Sequence, residues 1–399
     1  MKIQYARMKR LNSILLTVLL IIAGCGGQKK AINDDLIIVD VTKSYSSKKE
    51  LTLQDFMDVE YIVLETNDEF VNQGLVEAIG EIIIVRNRIR DGEIFIYDRT
   101  GKALRKINRR GQKLSEEYTS IYNITLDEDN GEIFINDIFI RKFLVYDLYG
   151  NFRRSFSHKE DIDMIGYRDI FNYSIDNLIC FDEHNKEVPF VLISKQDGSI
   201  IKEIKIPFKE KKFLEQRRID EATLTINVVS PGPYRPIIPG HNGNWILLEF
   251  SSDTIYEFLQ DYSLRPIIVR TPSIQSMEKE VMLRLGLNSN RYCFMEMVKN
   301  EYNFDTRRGF PRTFMMYDKQ EKEFYNYSVY NGDYSIKKEI YMNALRSVDH
   351  EIDSWQPIEA YQLVEDYKEG RLKDGKLKEI ASKLDAEDNP VIMLIKHKK

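Results

Sequence analysis

The sequence is poor in the residues that most often build catalytic and metal centres: it has three cysteines, five histidines and two tryptophans in 399 residues. No Cys-x-x-Cys and no Cys/His pairing occurs at a metal-binding spacing, which excludes the common zinc motifs. Cys180 and Cys293 each sit inside an apolar stretch and read as two separate buried thiols, behaving as small hydrophobes rather than as a disulfide. His158, His184, His241, His350 and His397 stand at neither helical nor strand spacing to one another, and read as exposed or hydrogen-bonded loop residues. A Gly-x-Ser-x-Gly elbow is missing. Asp127-Glu128-Asp129-Asn130-Gly131 lacks the alternating ligands and distal glutamate of an EF-hand, and reads as an acidic hairpin turn. No catalytic residue, metal or cofactor is expected.

Nor is any apolar run long enough to cross a bilayer as a helix, which takes about 20 residues. The longest, residues 14–23 with only Thr17 interrupting, follows the basic residues Lys2, Arg7, Lys9 and Arg10 and leads into Ile22-Ala23-Gly24-Cys25. A basic region, a short apolar core and small residues, in that order, make a secretory signal over residues 1–24. The last four residues resemble the lipobox of bacterial lipoproteins. That resemblance implies cleavage after Gly24 and lipidation of Cys25, two or three acyl chains giving stable membrane attachment. Residues 25–35 read as a lipidated tether, and residues 36–399 as the folded domain. The net charge is −5, and loss of the four leader cations makes it more negative, so no nucleic-acid partner is expected.

What the chain has in quantity is tyrosine and phenylalanine, 23 and 20, with isoleucine and valine in runs of strand length. One phrase repeats: an apolar strand, an acidic residue, a turn with glycine, and a returning strand. Ile94-Phe95-Ile96-Tyr97-Asp98-Arg99-Thr100-Gly101 and Phe143-Leu144-Val145-Tyr146-Asp147-Leu148-Tyr149-Gly150 are the clearest copies. Residues 191–199 and 315–323 are looser ones, and 255–261 the weakest. Each is a β-hairpin signature, with glycine supplying a positive φ in the best copies. Recurrence about every 50–65 residues predicts an all-β, six-bladed propeller of four-stranded antiparallel blades. The length and the spaced Asp-x-x-Gly turns favour this over a pair of β-sandwiches.

A few helices are expected in insertions and near the C-terminus. Residues 273–285 read as a surface helix after a capping serine, and 371–384 have apolar residues at helical spacing. Residues 391–395 read as a final strand. Residues 209–222 read as a long loop or short helix. The proline-rich run 231–240 cannot be a central strand, because proline lacks the ladder N–H. The aromatics of 292–304 and 325–330 are expected between blades.

Three phrases resemble the six-bladed β-propeller lipoproteins of Bacteroides and its relatives, which share an architecture with NHL-type propellers. Val59-Glu60-Tyr61-Ile62-Val63-Leu64-Glu65-Thr66 resembles their opening. Ile107-Asn108-Arg109-Arg110-Gly111-Gln112, followed by Glu116-Glu117-Tyr118, resembles their inter-blade loop. Glu387-Asp388-Asn389-Pro390-Val391-Ile392 resembles their close. The resemblance implies fold and an envelope location at the outer membrane, not chemistry. In such bacteria an acidic cluster after the lipidated cysteine accompanies surface display. Gly26-Gly27-Gln28-Lys29-Lys30 stands there instead, favouring the periplasmic face.

The functional reading is a binding or scaffold module, attached to the membrane through Cys25, for a protein, peptide or glycan partner. Function concentrates on irregular loops held by a rigid scaffold, so Tyr234, Arg235, His241 and Trp245 are the expected ligand-facing residues. The alternative is a propeller hydrolase or lyase acting on a glycan or small molecule at the central channel, with acidic or histidine residues at one mouth. A third is a structural component of an envelope complex, recognisable by an extended apolar patch.

Overall fold

The computed structural model describes residues 36–398, other than 88–90, 114, 159–165, 222, 233 and 344–347. The leader, Cys25 and the tether lie outside these residues. Six sheets follow one another along the chain and form a ring, the six-bladed propeller that the repeated phrase predicts. From the axis outward, the first blade is Leu75–Ile79, Ile82–Arg86, Glu93–Asp98 and Ala103–Asn108. The second is Asn123–Asp127, Glu132–Asp137, Lys142–Asp147 and Phe152–Ser157. The third is Asp169–Asn172, Asn177–Phe181, Phe190–Ser194 and Ile200–Ile204. The fourth is Ile237–Pro239, Trp245–Leu247, Thr254–Phe258 and Leu264–Thr271, and the fifth is Val281–Asn288, Tyr292–Lys299, Arg312–Asp318 and Glu323–Tyr330.

Four antiparallel strands are thus the unit, with two elaborations. The fourth and fifth blades each gain an outer parallel strand from the beginning of the chain, Ile37–Asp40 and Lys48–Thr52. The described strands of the sixth blade are Ile352–Ile358, Val391–His397 and the early strand Met57–Val63. This blade closes the ring, with Val391 opposite Val63 and His397 opposite Met57. Two of the family-like phrases therefore form the two sides of the closure.

The middle strands read as unbroken apolar runs because each is covered on both faces by neighbouring blades. Ile83, Ile84 and Val85 are all buried, as are Phe143, Leu144, Val145 and Tyr146. Six inter-blade cores result. Ile84 and Ile96 meet Ile124 and Ile135 between the first and second blades. Phe134 and Phe143 meet Ile170 and Cys180, Phe181 and Phe190 meet Trp245 and Phe258, and Ile246 and Ile255 meet Met295 and Met315. Phe294 and Met316 meet Met393 and Ile395, and Ile392 and Leu394 meet Phe95 and Tyr97, completing the circle. Cys180 and Cys293 are free and buried in two of these cores.

The repeated phrase has a physical origin. The Asp98 carboxylate accepts the backbone N–H groups of Thr100 at 2.9 Å and Lys102 at 3.0 Å, and Gly101 takes φ 89°. Asp147 does the same for Tyr149 and Asn151, each at 2.9 Å, before Gly150 at φ 82°. In the first five blades the innermost strand runs toward the face bearing these tight turns, the turn face. Connections between blades fall on the opposite, loop face. The hairpin Gln216–Asp220 with Thr225–Val229, the short hairpin Tyr302–Asn303 with Arg308–Gly309, and the helices Ala360–Lys368 and Lys376–Ala381 all extend this loop face.

Several expectations need correction. Residues 273–285 are not a helix: Ser273 caps only the single turn Ile274–Ser276, and Val281–Asn288 is the innermost strand of the fifth blade. Its apolar run serves two covered faces, not one helical stripe. The helix expected over 371–384 is confined to Lys376–Ala381, since Gly370 and Gly375 have positive φ just before it. Residues 209–222 include a strand, Gln216–Asp220. The run 231–240 is not a central strand, as expected: its strand, Ile237–Pro239, is the inner edge of its blade, with a partner on one side only. His158 and His397 are buried rather than exposed, at 4 % and 5 %.

Candidate functional site

The innermost strands enclose a cavity of about 1050 Å³, at the upper end of the range for small-molecule sites, roughly 300–1,000 Å³. Its two ends differ. Toward the loop face the wall carries Arg86, Arg168, Arg284 and Arg312, while the Arg235 guanidinium reaches Asp353 at the start of Ile352–Ile358. Toward the turn face it carries Glu128, Asp129, Asp349, His350 and Trp245.

Two of the arginines link blades, and a third pairs within its own. Arg86 donates to Glu77 Oε1 at 2.7 Å and to the carbonyl of Tyr122 at 3.2 Å, while the other Glu77 oxygen accepts Ile124 N–H, joining the first blade to the second. Arg168 pairs with Glu183 within the third blade. Arg235 donates to the carbonyl of Asp353 at 3.3 Å and lies 3.6 Å from its carboxylate, reaching from the fourth blade to the sixth.

The last two arginines converge on one carboxylate. Arg284, Glu296 and Phe314 lie side by side across three strands of the fifth blade. Arg284 is 3.5 Å and Arg312 3.1 Å from opposite oxygens of Glu296, which is 2 % exposed. Arg284 also donates to Gly232 O at 2.9 Å, and Arg312 to Pro231 O at 2.7 Å, so this pair pins the proline-rich loop. Burial pushes the Arg284 guanidinium below the ordinary arginine value, against the pull of Glu296, and the Arg312 charge adds to the push.

At the other end, burial raises the Asp349 carboxyl above the usual range, although it accepts the N–H groups of Ile352 and Glu351 at 2.6 and 2.7 Å. His350 Nδ1 lies 2.8 Å from Gly240 O, and its ring stands edge-on to Trp245 at 4.8 Å. Among the described residues no group of three or more His, Cys, Asp or Glu is placed to hold a metal ion.

Of the four residues expected from the sequence, Tyr234, Arg235 and Trp245 line the cavity. Tyr234 packs on Phe250 at 4.0 Å, and burial, with Glu183 and Glu249 nearby, lifts its phenol well above 10. Trp245 lies toward the turn face, against His350. His241 is exposed, is not among the residues lining the cavity, and stacks with His397 at 4.7 Å. Pro233 of the same loop is outside the described residues. The sequence reading passed over Arg284 and Glu296. A signal was present: each is a lone charge inside an apolar strand, VMLRLGLN and YCFMEMVK, and a charge buried there needs a partner.

The sequence matches the domain of unknown function DUF4934 over residues 36–396. The chain belongs to this family. The DUF4934 domain therefore spans all six blades, including the early strands that close the ring. No curated protein matches the chain. Among solved structures, a Bacteroides fragilis protein described as exported is similar over 92% of this chain and 99% of its own, at 16% identity and a TM-score of 0.53. A Bacteroides vulgatus member of the DUF4221 family covers 86% of this chain and 100% of its own, at 9% identity and a TM-score of 0.44. The first shares the fold of the DUF4934 domain. Among the described residues no helix is long and apolar enough to cross a membrane.

Proposed function

We propose that this DUF4934 protein is an exported lipoprotein of the cell envelope, anchored through Cys25 at the outer membrane on its periplasmic face. Its propeller holds a peptide, a glycan or a segment of a partner protein at the loop-face mouth of the central cavity. The observation that carries this reading is the one-sidedness of the cavity. Arginines gather at the end where the described hairpin and helix insertions stand, and the aromatic groups Phe314 and Tyr341 line the same cavity, Tyr341 being 59 % exposed. Rigid scaffolds place binding groups on such loops. The leader motif and the exported Bacteroides fragilis relative support the compartment.

The test is retention on glycan and peptide arrays by the full-length protein in mild detergent. A ligand retained by the wild type is expected to be lost at least tenfold in the Tyr341→Ala/Phe314→Ala variant and unchanged in Ile201→Ala, on an exposed outer strand. Equal retention by all three would sink the cavity reading. Cys25→Ser should abolish incorporation of labelled palmitate.

The catalytic alternative rests on Asp349 and His350, adjacent at the turn-face end, with the carboxyl held toward its neutral form. It predicts turnover that Asp349→Asn removes.

A further inference from the structure

The geometry points to an oxyanion, a carboxylate or a phosphate, as the group this cavity recognises, held between Arg284 and Arg312. This rests on the cavity-binding reading and adds to it the chemistry of the ligand. Arg86, Arg168 and Arg235 each face a carboxylate of their own, from Glu77, Glu183 and Asp353. Arg284 and Arg312 share Glu296 between them. Their remaining acceptors, Gly232 O and Pro231 O, are neutral. One positive charge is left over, in a setting where Arg284 is 6 % exposed and its Nε–H has no hydrogen-bond acceptor.

A buried cation short of countercharge is costly, and a bound anion relieves that cost. The guanidinium is also the side chain whose planar fork fits carboxylate and phosphate oxygens two at a time. Arg312 is the accessible half of the clamp, with its side chain 40% exposed. Phe314, next but one along its strand, and Tyr341 provide a wall for the body of the ligand. The acids that would oppose an anion lie elsewhere. Glu77 is bound to Arg86, Asp169 is on the third blade beside Arg168, and Glu128, Asp129 and Asp349 are toward the turn face.

The test is calorimetric titration of the full-length protein in mild detergent, at constant ionic strength, with inorganic phosphate, glucuronate and glucose. Phosphate or glucuronate, or both, should bind while glucose does not, and which of the two binds more tightly separates a phosphate ligand from a carboxylate one. Arg312→Gln should weaken the oxyanion at least tenfold, and Arg308→Gln, on the exposed hairpin nearby, should leave it unchanged. Should Arg312→Gln fail to fold, phenylglyoxal labelling of Arg312 in the wild type, mapped by peptide mass, should slow at least fivefold when the oxyanion is present. Absence of binding by both oxyanions, or binding that neither the variant nor the label reports at Arg312, overturns the proposal. Glucose bound as well as glucuronate, and lost in Tyr341→Ala/Phe314→Ala, would overturn it while leaving cavity binding intact.

Discussion

Asn389 accepts the backbone N–H of Asn72 at 2.8 Å across 317 positions of sequence. Its amide nitrogen donates to Glu65 O at 2.9 Å and to Phe70 O at 2.7 Å, and its own N–H donates to Thr66 Oγ1 at 2.8 Å. The family-like closing phrase thus holds the loop that leaves the opening phrase. Asn389→Ala removes these three side-chain hydrogen bonds and a longer one to the Tyr97 hydroxyl, at a buried position. It should cost about 2–4 kcal/mol, at roughly 1 kcal/mol each plus the orphaned groups. A denaturant midpoint equal to that of the wild type would refute this.

Lys195 and Asp127 form a buried ion pair at 2.5 Å, 1% and 0% exposed, tying the third blade to the second. Removing one charge strands the other. Lys195→Met alone should destabilise by about 3–5 kcal/mol, and Lys195→Met with Asp127→Leu should recover most of it. Chemical denaturation of the two variants and the wild type decides, since a double variant as weak as the single one would contradict the argument.

His158 is buried against Phe143 and Tyr167, at 4.8 and 5.4 Å, and neither ring nitrogen has a hydrogen-bond partner. Burial lowers its pKa from 6.5 to about 4, Arg141 adding to the effect and Asp137 opposing it. Its folded pKa lies below its unfolded one, so the unfolded chain binds more protons between those values. Stability contributed by neutral His158 is full above about pH 6.5 and is lost as pH falls toward 4, by up to about 3 kcal/mol. Melting curves over that range should show His158→Leu with a shallower acid loss than the wild type.

Gly101 and Gly131 both have positive φ, at 89° and 63°, but different surroundings. A Cβ on Gly101 would lie 2.0 Å from Val63 O, in the closing strand, whereas one on Gly131 meets nothing within 4 Å. Gly131→Ala should cost about 1 kcal/mol from φ alone. Gly101→Ala should cost at least twice that, read as the difference in thermal midpoints.

Much of the ring is legible because strand turns are local. Asp98 and Asp147 organise their turns with atoms a few residues away, so the phrase survives as sequence. The blade of residues 281–330 is harder to read, since Arg284 and Glu296 acquire meaning only when Val281–Asn288 and Tyr292–Lys299 pair. The same holds for Ile37–Asp40, whose outermost position depends on a partner strand more than 220 residues away. Helix Ala360–Lys368 escaped notice because no side-chain cap marks its start. His241 follows the proline-rich loop in sequence but stands on the turn face, since adjacency in sequence does not distinguish that face from the cavity wall.

The first strand, Ile37–Asp40, runs parallel to Leu264–Thr271 and starts from the turn face. Tension on the chain upstream of it, directed away from that face, runs along the strand axis. The paired positions from Ile37 with Ile268 to Asp40 with Thr271 are then loaded together in shear instead of unzipping one by one. Lys48–Thr52 repeats the arrangement on the next blade. The propeller therefore meets a pull on its N-terminus with its mechanically stiffer geometry, and leaves the loop-face mouth on the side away from the load.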